Sequence, residues 1–225
     1  MKPSENTNHP RYFAFRQLLA RVRGRMIAKR LPVGSNREII RWLRNGRPNP
    51  PPHSVKVRNI LALADIFAIE TLVETGTYRG DTIAATLERF TSIYSVEIEP
   101  RLAAAARARF HRVRGKVHLF EGDSTVLLPK IIVQLRGPAI FWLDGHYSGR
   151  GTGRGSSDTP ILAEIDAIAS LRKNCGDVVI VDDARVFGRT PAYPPLADLV
   201  GLLRERLPGE VRVADDSIFM LPRGS

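Results

Sequence analysis

The sequence predicts one α/β domain, a mostly parallel sheet covered by helices on both faces, preceded by a basic helical extension. Three observations carry this. From residue 55 onward, short apolar strand-like runs alternate with helical patterns, the order that builds a parallel sheet with crossover helices. Pro48, Pro50, Pro51 and Pro52 set that region apart from what precedes it, as a stiff linker does. A chain of 225 residues has room for one well-buried domain and an extension, not for two full domains.

The elements follow in order. Residues 1–10 are polar, carry two prolines and read as a disordered start. From Tyr12 to Leu31, Tyr12, Phe15, Leu19, Val22 and Met26 recur at steps of three and four, a helical stripe that leaves most of the arginines off it. A second short helix is expected at about 37–45, opened by Ser35-Asn36 and closed by Asn45-Gly46. Beyond the linker, a helix at 55–67 leads to strand Thr71–Glu74. Helix 80–90, strand 92–97, helix 100–110, strand 116–121 and helix 124–135 come next. Strand 139–144, a Gly-rich loop at 148–157, helix 159–173 and strand 177–182 follow. Helix 195–206 and the pair 210–214 and 217–221 complete the pattern. These elements divide into an extension and linker, 1–53, and a domain, 54–225.

Composition narrows the class. Hydrophobic residues make up 43% and charged residues 25%, as in soluble globular proteins. No apolar run is long enough for a membrane-spanning helix, and arginines interrupt the N-terminal stretch where a secretory signal would lie. The single cysteine, Cys175, cannot form an internal disulfide, which fits a reducing, cytoplasmic setting. His9, His53, His111, His118 and His146 are scattered and suggest no zinc site. Of the net charge of +11, residues 1–58 carry +12 and the remainder −1. The excess charge therefore belongs to the extension and says little about a cleft in the domain behind it.

Ligands of such sheets sit beyond the carboxyl ends of the strands, where the strand order reverses. The first strand ends Glu74-Thr-Gly-Thr-Tyr-Arg-Gly-Asp-Thr82. Gly76 and Gly80 suit a tight strand-to-helix turn where backbone approaches a ligand, and the following helix start could hold an anion. The same spacing also fits an ordinary turn that uses glycine for packing. The second strand ends Val96-Glu97-Ile98-Glu99-Pro100; an acid at its tip could accept bonds from ribose hydroxyls, while one of the two could instead cap the next helix.

On these residues the run from Glu74 to Asp183 resembles a class I S-adenosylmethionine (SAM)-dependent methyltransferase, and within that group the catechol O-methyltransferase-like small-molecule enzymes. The resemblance covers roughly half the chain. It implies a Rossmann-like seven-stranded sheet, mostly parallel with an antiparallel C-terminal strand, and SAM as cofactor. Glu74, Gly76, Thr77, Tyr78, Gly80 and Thr82 match the family's first motif, around the methionyl part of SAM. Glu97 matches the acid that holds the ribose. Glu121-Gly-Asp-Ser124 resembles the third motif, which implies Asp123 and Ser124 beside the adenine.

The fourth strand ends Leu143-Asp144-Gly145-His146-Tyr147 and the fifth Val181-Asp182-Asp183, on the edge that faces the methyl group, so Asp144 borders cofactor and acceptor alike. Metal-dependent members carry Asp, Asp and Asn there around Mg²⁺. Asp144, Asp182 and Asp183 match the first two and put a carboxylate for the third. Three oxygen ligands suit a hard cation, which would acidify an acceptor hydroxyl. The other reading is a metal-free site in which Asp144 orients substrate and Asp182 and Asp183 position backbone. Where the family carries a lysine as base, this sequence has His146 and Tyr147. His146 could serve as general base or only bond backbone. The Gly-rich loop, with Arg150 and Arg154, reads as a lid or as a flexible insertion.

The expected activity is O-methylation of a small molecule or sugar. Alternatives are an RNA methyltransferase that uses the basic segment as a handle, and a non-catalytic binding module. The Gly-x-Gly-x-x-Gly of NAD enzymes is missing from the first turn. The extension reads as a cap or interface, a membrane-surface helix, a nucleic-acid handle or a targeting segment; a homodimer is also in view.

Overall fold

The computed structural model describes residues 35–145, 159–189 and 192–223. The stripe expected over Tyr12–Leu31 and the loop 148–157 lie outside them. The described elements are α1 (Ser35–Arg44), α2 (His53–Ile66), β1 (Thr71–Thr75), α3 (Asp81–Thr86), β2 (Ser92–Glu97), α4 (Pro100–Arg109) and β3 (Val117–Glu121). They continue with α5 (Ser124–Ile132), β4 (Ala139–Leu143), α6 (Ile161–Leu171), β5 (Val178–Val181), α7 (Leu196–Arg206), β6 (Gly209–Ala214) and β7 (Ser217–Pro222).

The seven strands form one sheet in the order β3-β2-β1-β4-β5-β7-β6. The first five run parallel, and β7 lies antiparallel to both β5 and β6. The expected architecture is thus present, with β7 as its one reversed strand. The central strands Thr71–Thr75, Ala139–Leu143 and Val178–Val181 are buried almost throughout, as apolar runs covered on both faces must be.

Alternation along each strand distributes the core. Leu72, Ile140, Trp142, Val178 and Ile180 pack on one face with Ile60, Leu63, Ile83, Phe90 and Phe110 from α2 to α4 and their connections. Val73, Phe141, Leu143, Val179 and Val181 pack on the other with Leu128, Ile131, Ile165, Ile168, Leu199 and Leu203 of α5, α6 and α7. A strand with period two can serve two layers only in this way. Helix α2 is buried continuously from Ser54 to Ala64 apart from Lys56, and α1 lays Ile39 and Trp42 against Val55.

Two helices stop short of their expected ends. Helix α3 ends at Thr86 rather than near residue 90 because the chain tightens there: Arg89 N–H donates to Thr86 O, three residues back. Arg89 then turns to Asp65 at 2.6 Å and to the Ala64 carbonyl, while Phe90 is driven fully into the core. Helix α5 contains Pro129, and past Ile132 the bonds from Gln134 and Leu135 likewise reach back three residues, a last turn wound more tightly than an α-helix.

Register aligns the functional edge. Thr75 pairs with Val96 and with Leu143, Glu97 with Glu121, and Leu143 with Val181. The carboxyl ends of β1, β2, β4 and β5 therefore finish level, on either side of the β1–β4 junction where the strand order reverses.

Candidate functional site

The β1 turn is shaped by close backbone packing. Gly76 has φ +86, and a Cβ on it would lie 2.5 Å from the Asp144 carbonyl oxygen. Gly76 N–H donates to Val96 O, and Asp144 N–H to Thr75 O, so the three strand ends are tied at this point. Gly80 has φ +75, and a Cβ there would lie 2.6 Å from the Phe110 ring; this glycine serves packing against α4. With six residues, α3 is shorter than the helix whose amino end was expected to hold an anion. Tyr78, also at positive φ (+49), is half-exposed at the tip of the turn.

Beneath the turn, Glu74 is fully buried. Its Oε2 accepts from Ser95 Oγ at 2.6 Å, and Ser95 Oγ shares a 2.6 Å bond with Thr77 Oγ1. Burial pushes the Glu74 carboxyl up to about 8, against the hydrogen bonds from Ser95 and Thr82. Thr82 in turn meets His53 Nε2 at 3.2 Å, and burial, aided by the charge of Lys56, lowers the His53 imidazole below its ordinary range.

The two acids after β2 divide their roles. Glu97 is buried and accepts from Tyr78 N–H at 2.7 Å through Oε2 and from Glu99 N–H at 2.9 Å through Oε1. Both oxygens are thereby oriented, and each keeps a further lone pair. Glu99 caps α4, accepting from Arg101 N–H. After β3, Asp123 caps α5 through Thr125 N–H at 2.8 Å, Ser124 is buried at its first turn, and Gly122 N–H donates to Glu97 O. Glu74, Gly76, Thr77, Tyr78, Gly80, Thr82, Glu97, Asp123 and Ser124 are all brought to one edge.

Across the β1–β4 junction stands the second cluster. One carboxylate oxygen from each of Asp144, Asp182 and Asp183 lies within 4.8 Å of the others. His146 and Tyr147 lie outside the described residues. The cluster also holds a cation that sequence reasoning missed. Lys56 Nζ of α2 donates to Asp182 Oδ2 at 2.5 Å and to Asp183 Oδ1 at 2.9 Å. Its signal in sequence is weak, because Lys56 shares its helix with Arg58, Asn59 and Asp65 and nothing in their spacing singles it out.

Burial alone would depress the Lys56 ammonium, but Asp182 and Asp183 outweigh it and push it up to about 12. Burial lifts Asp144 well above the carboxylate range, and the Asp182 charge lifts it further. Burial lifts Asp182 as well, against the pull of Lys56. A carboxylate 2.5 Å from an ammonium is held in its charged form by that contact, which opposes the effect of burial on Asp182.

Carboxylates are the donors a hard cation takes, but those of Asp182 and Asp183 already face a protein cation. Asp182 Oδ1 accepts from Ser217 Oγ at 3.2 Å and Oδ2 from Lys56. Asp183 Oδ1 accepts from Lys56 and from Arg185 Nη1 at 2.7 Å, and Oδ2 from Arg185 Nη2 at 3.1 Å. Arg185 also pairs with Asp216 in the β6–β7 turn. As it stands, this arrangement does not fit a divalent ion. Beside it, a narrow cleft runs between the ends of β4 and β5 and the start of α6, lined by Leu143, Gly145, Pro160, Val181, Phe187 and Tyr193. The rings of Phe187 and Tyr193 meet edge to face, 5.6 Å apart.

No protein-family model matches the chain, and no curated protein matches it in sequence. Its fold does match solved structures. The chain is similar to the O-methyltransferase TomG from Streptomyces achromogenes in complex with SAM, at 15% identity and a TM-score of 0.56 over 85% of this chain and 90% of that one. It is similar to the SAH-bound Podospora anserina methyltransferase PaMTH1, at 17% identity and 0.56 over 100% and 99%. It is also similar to an O-methyltransferase from Bacillus cereus in complex with SAH, at 15% identity and 0.57 over 91% and 96%. The chain therefore has the class I methyltransferase fold that those SAM- and SAH-bound structures share.

Proposed function

We propose that the protein is a SAM-dependent methyltransferase that methylates a hydroxyl on a small molecule or sugar. The observation that carries this is the oriented Glu97 carboxylate at the tip of β2, next to the Gly76 turn at the strand-order reversal. Structures of the same fold hold SAM or SAH, and this is where open α/β sheets bind ligands.

Bound here, SAM supplies an electrophilic methyl group on a sulfonium. Glu97, held by two backbone N–H groups, accepts from the ribose hydroxyls with its remaining lone pairs. Gly76 brings the β1 turn against Asp144 and leaves no side chain in the way. Glu74 and its partners Ser95, Thr77 and Thr82 form the floor under the methionyl end. Asp123 and Ser124 border the adenine. On the acceptor side, the edge-to-face rings of Phe187 and Tyr193 stand beside the ends of β4 and β5 and would form an apolar wall against the acceptor. His146, with Tyr147 next to it, takes the hydroxyl proton, and Asp144 orients the oxygen. Alignment of the two reactants supplies much of the rate enhancement.

The cytoplasm is the proposed setting, and residues 1–53 are proposed as a separate extension that caps the cleft. Among the described residues no helix is long and apolar enough to cross a membrane.

The test is calorimetric titration of SAM into the purified protein and into a Glu97→Ala variant. Micromolar binding that the variant loses is expected. Wild-type protein that leaves SAM and SAH unbound would end the enzyme reading and favour a binding module.

A further inference from the structure

The charge arrangement beside the cleft differs from what three clustered acids suggest. We propose that Lys56 is the resident cation of the Asp144, Asp182 and Asp183 cluster, an internal ammonium standing where a divalent ion would otherwise be drawn in.

Four observations converge. First, Lys56 Nζ lies 2.5 Å from Asp182 and 2.9 Å from Asp183. A metal ion bonded to those same oxygens at roughly 2.0–2.6 Å would have to occupy nearly the same space. Second, all four oxygens of Asp182 and Asp183 accept from protein donors, namely Lys56, Ser217 and Arg185. Ligation would displace several of these bonds at once. Third, the lysine side chain is only 14% exposed, and lysines are rarely buried unless paired, so its burial on α2 requires the acids opposite it. Fourth, these contacts join positions 126 and 127 residues apart, across the layer between α2 and the sheet edge.

The ammonium does two things for the edge. It offsets the repulsion between adjacent carboxylates that the β5 end places together. It also sets a fixed positive charge next to the cleft, where an acceptor oxygen loses its proton. Lys56 acts here through the carboxylates it holds and is a positioning residue. The inference deepens the acceptor side of the methyltransferase reading, but its test needs no SAM, so the two can fail separately.

The experiment is titration of full-length protein with Mn²⁺, without SAM, reading free Mn²⁺ by its electron paramagnetic resonance signal. Wild type and Lys56→Arg are expected to leave the ion free. Lys56→Ala, with Asp182 and Asp183 freed of the ammonium, is expected to bind it roughly tenfold or more tightly. Uptake by wild type that a Asp182→Asn variant loses would overturn the inference, as would a folded Lys56→Ala variant with no gain. Should Lys56→Ala fail to fold, wild type and Lys56→Arg decide the matter: uptake by either, lost on Asp182→Asn, overturns it, and no uptake supports it.

Discussion

A Cβ on Gly76 would lie 2.5 Å from the carbonyl oxygen of Asp144, so the turn after β1 and the residue after β4 are in contact through backbone alone. The obstacle is main chain, which cannot swing aside as a side chain can, and the φ of +86 adds strain for any L side chain. Gly76→Ala is expected to cost about 2–5 kcal/mol from left-handed strain plus overpacking. Urea denaturation measures it. Gly80→Ala meets the Phe110 ring instead, and Phe110→Leu in the same chain should recover part of its loss. A Gly76→Ala variant as stable as wild type would mean that the two strand ends stand further apart.

Glu74 makes stability depend on pH in the direction opposite to an ion-paired acid. Its carboxyl moves from 4.5 to about 8 on folding, so between those values the folded protein holds a proton that the unfolded chain has released. Its contribution is fully present below about pH 4.5 and is lost as pH rises through about 8. Glu74→Gln keeps the shape and stays neutral. In thermal melts of SAM-free protein, the advantage of the variant should grow from pH 5 to pH 8 and then level off. A pH-independent difference would count against a buried, protonated Glu74.

Glu97 and Glu99 should separate cleanly. Glu99→Ala removes the α4 cap, worth about 0.5–1 kcal/mol for so long a bond, and should leave SAM affinity unchanged in calorimetry. Equal loss of affinity in the Glu97→Ala and Glu99→Ala variants would show that the assignment of ribose and cap is not as drawn.

Arg172 and Asp177 form a buried pair at the opposite edge of the sheet, at 2.7 and 2.9 Å. Asp177 also accepts from Ala139 N–H, and Arg172 donates to the Gly137 carbonyl, so the pair clamps the starts of β4 and β5. Asp177→Ala leaves a buried guanidinium unpaired and is expected to cost about 3–5 kcal/mol. SAM affinity of the folded fraction should not change, because the site lies at the other ends of the strands. A stable variant with weakened SAM binding would contradict both halves of this expectation.

The strands and most helices were legible because each carries its own periodicity: Ala139–Leu143 is apolar throughout, and the helices between strands bury one stripe. The helix ends at Thr86 and Ile132 were less legible, since tight last turns depend on partners such as Asp65 that lie elsewhere in the chain. Glu74, Gly76, Glu97 and the three aspartates were legible as strand-end residues, because β-topology alone brings such ends together. Lys56 was not. It sits on a helix that precedes every strand, and nothing local says that its ammonium meets acids more than a hundred residues later. The distinct jobs of Gly76 and Gly80 also became visible only with their neighbours, Asp144 and Phe110.

Strand β7 lies between β5 and β6, and the hairpin it forms with β6 delivers Ser217 to Asp182 and Asp216 to Arg185. The acceptor edge is therefore assembled from parts far apart in the chain: Lys56 from the first layer of helices, Asp182 and Asp183 from the end of β5, and Ser217 and Asp216 from the hairpin that β7 brings in beside β5. A change in the β6–β7 turn would reach the acids of the site without touching any strand that carries them.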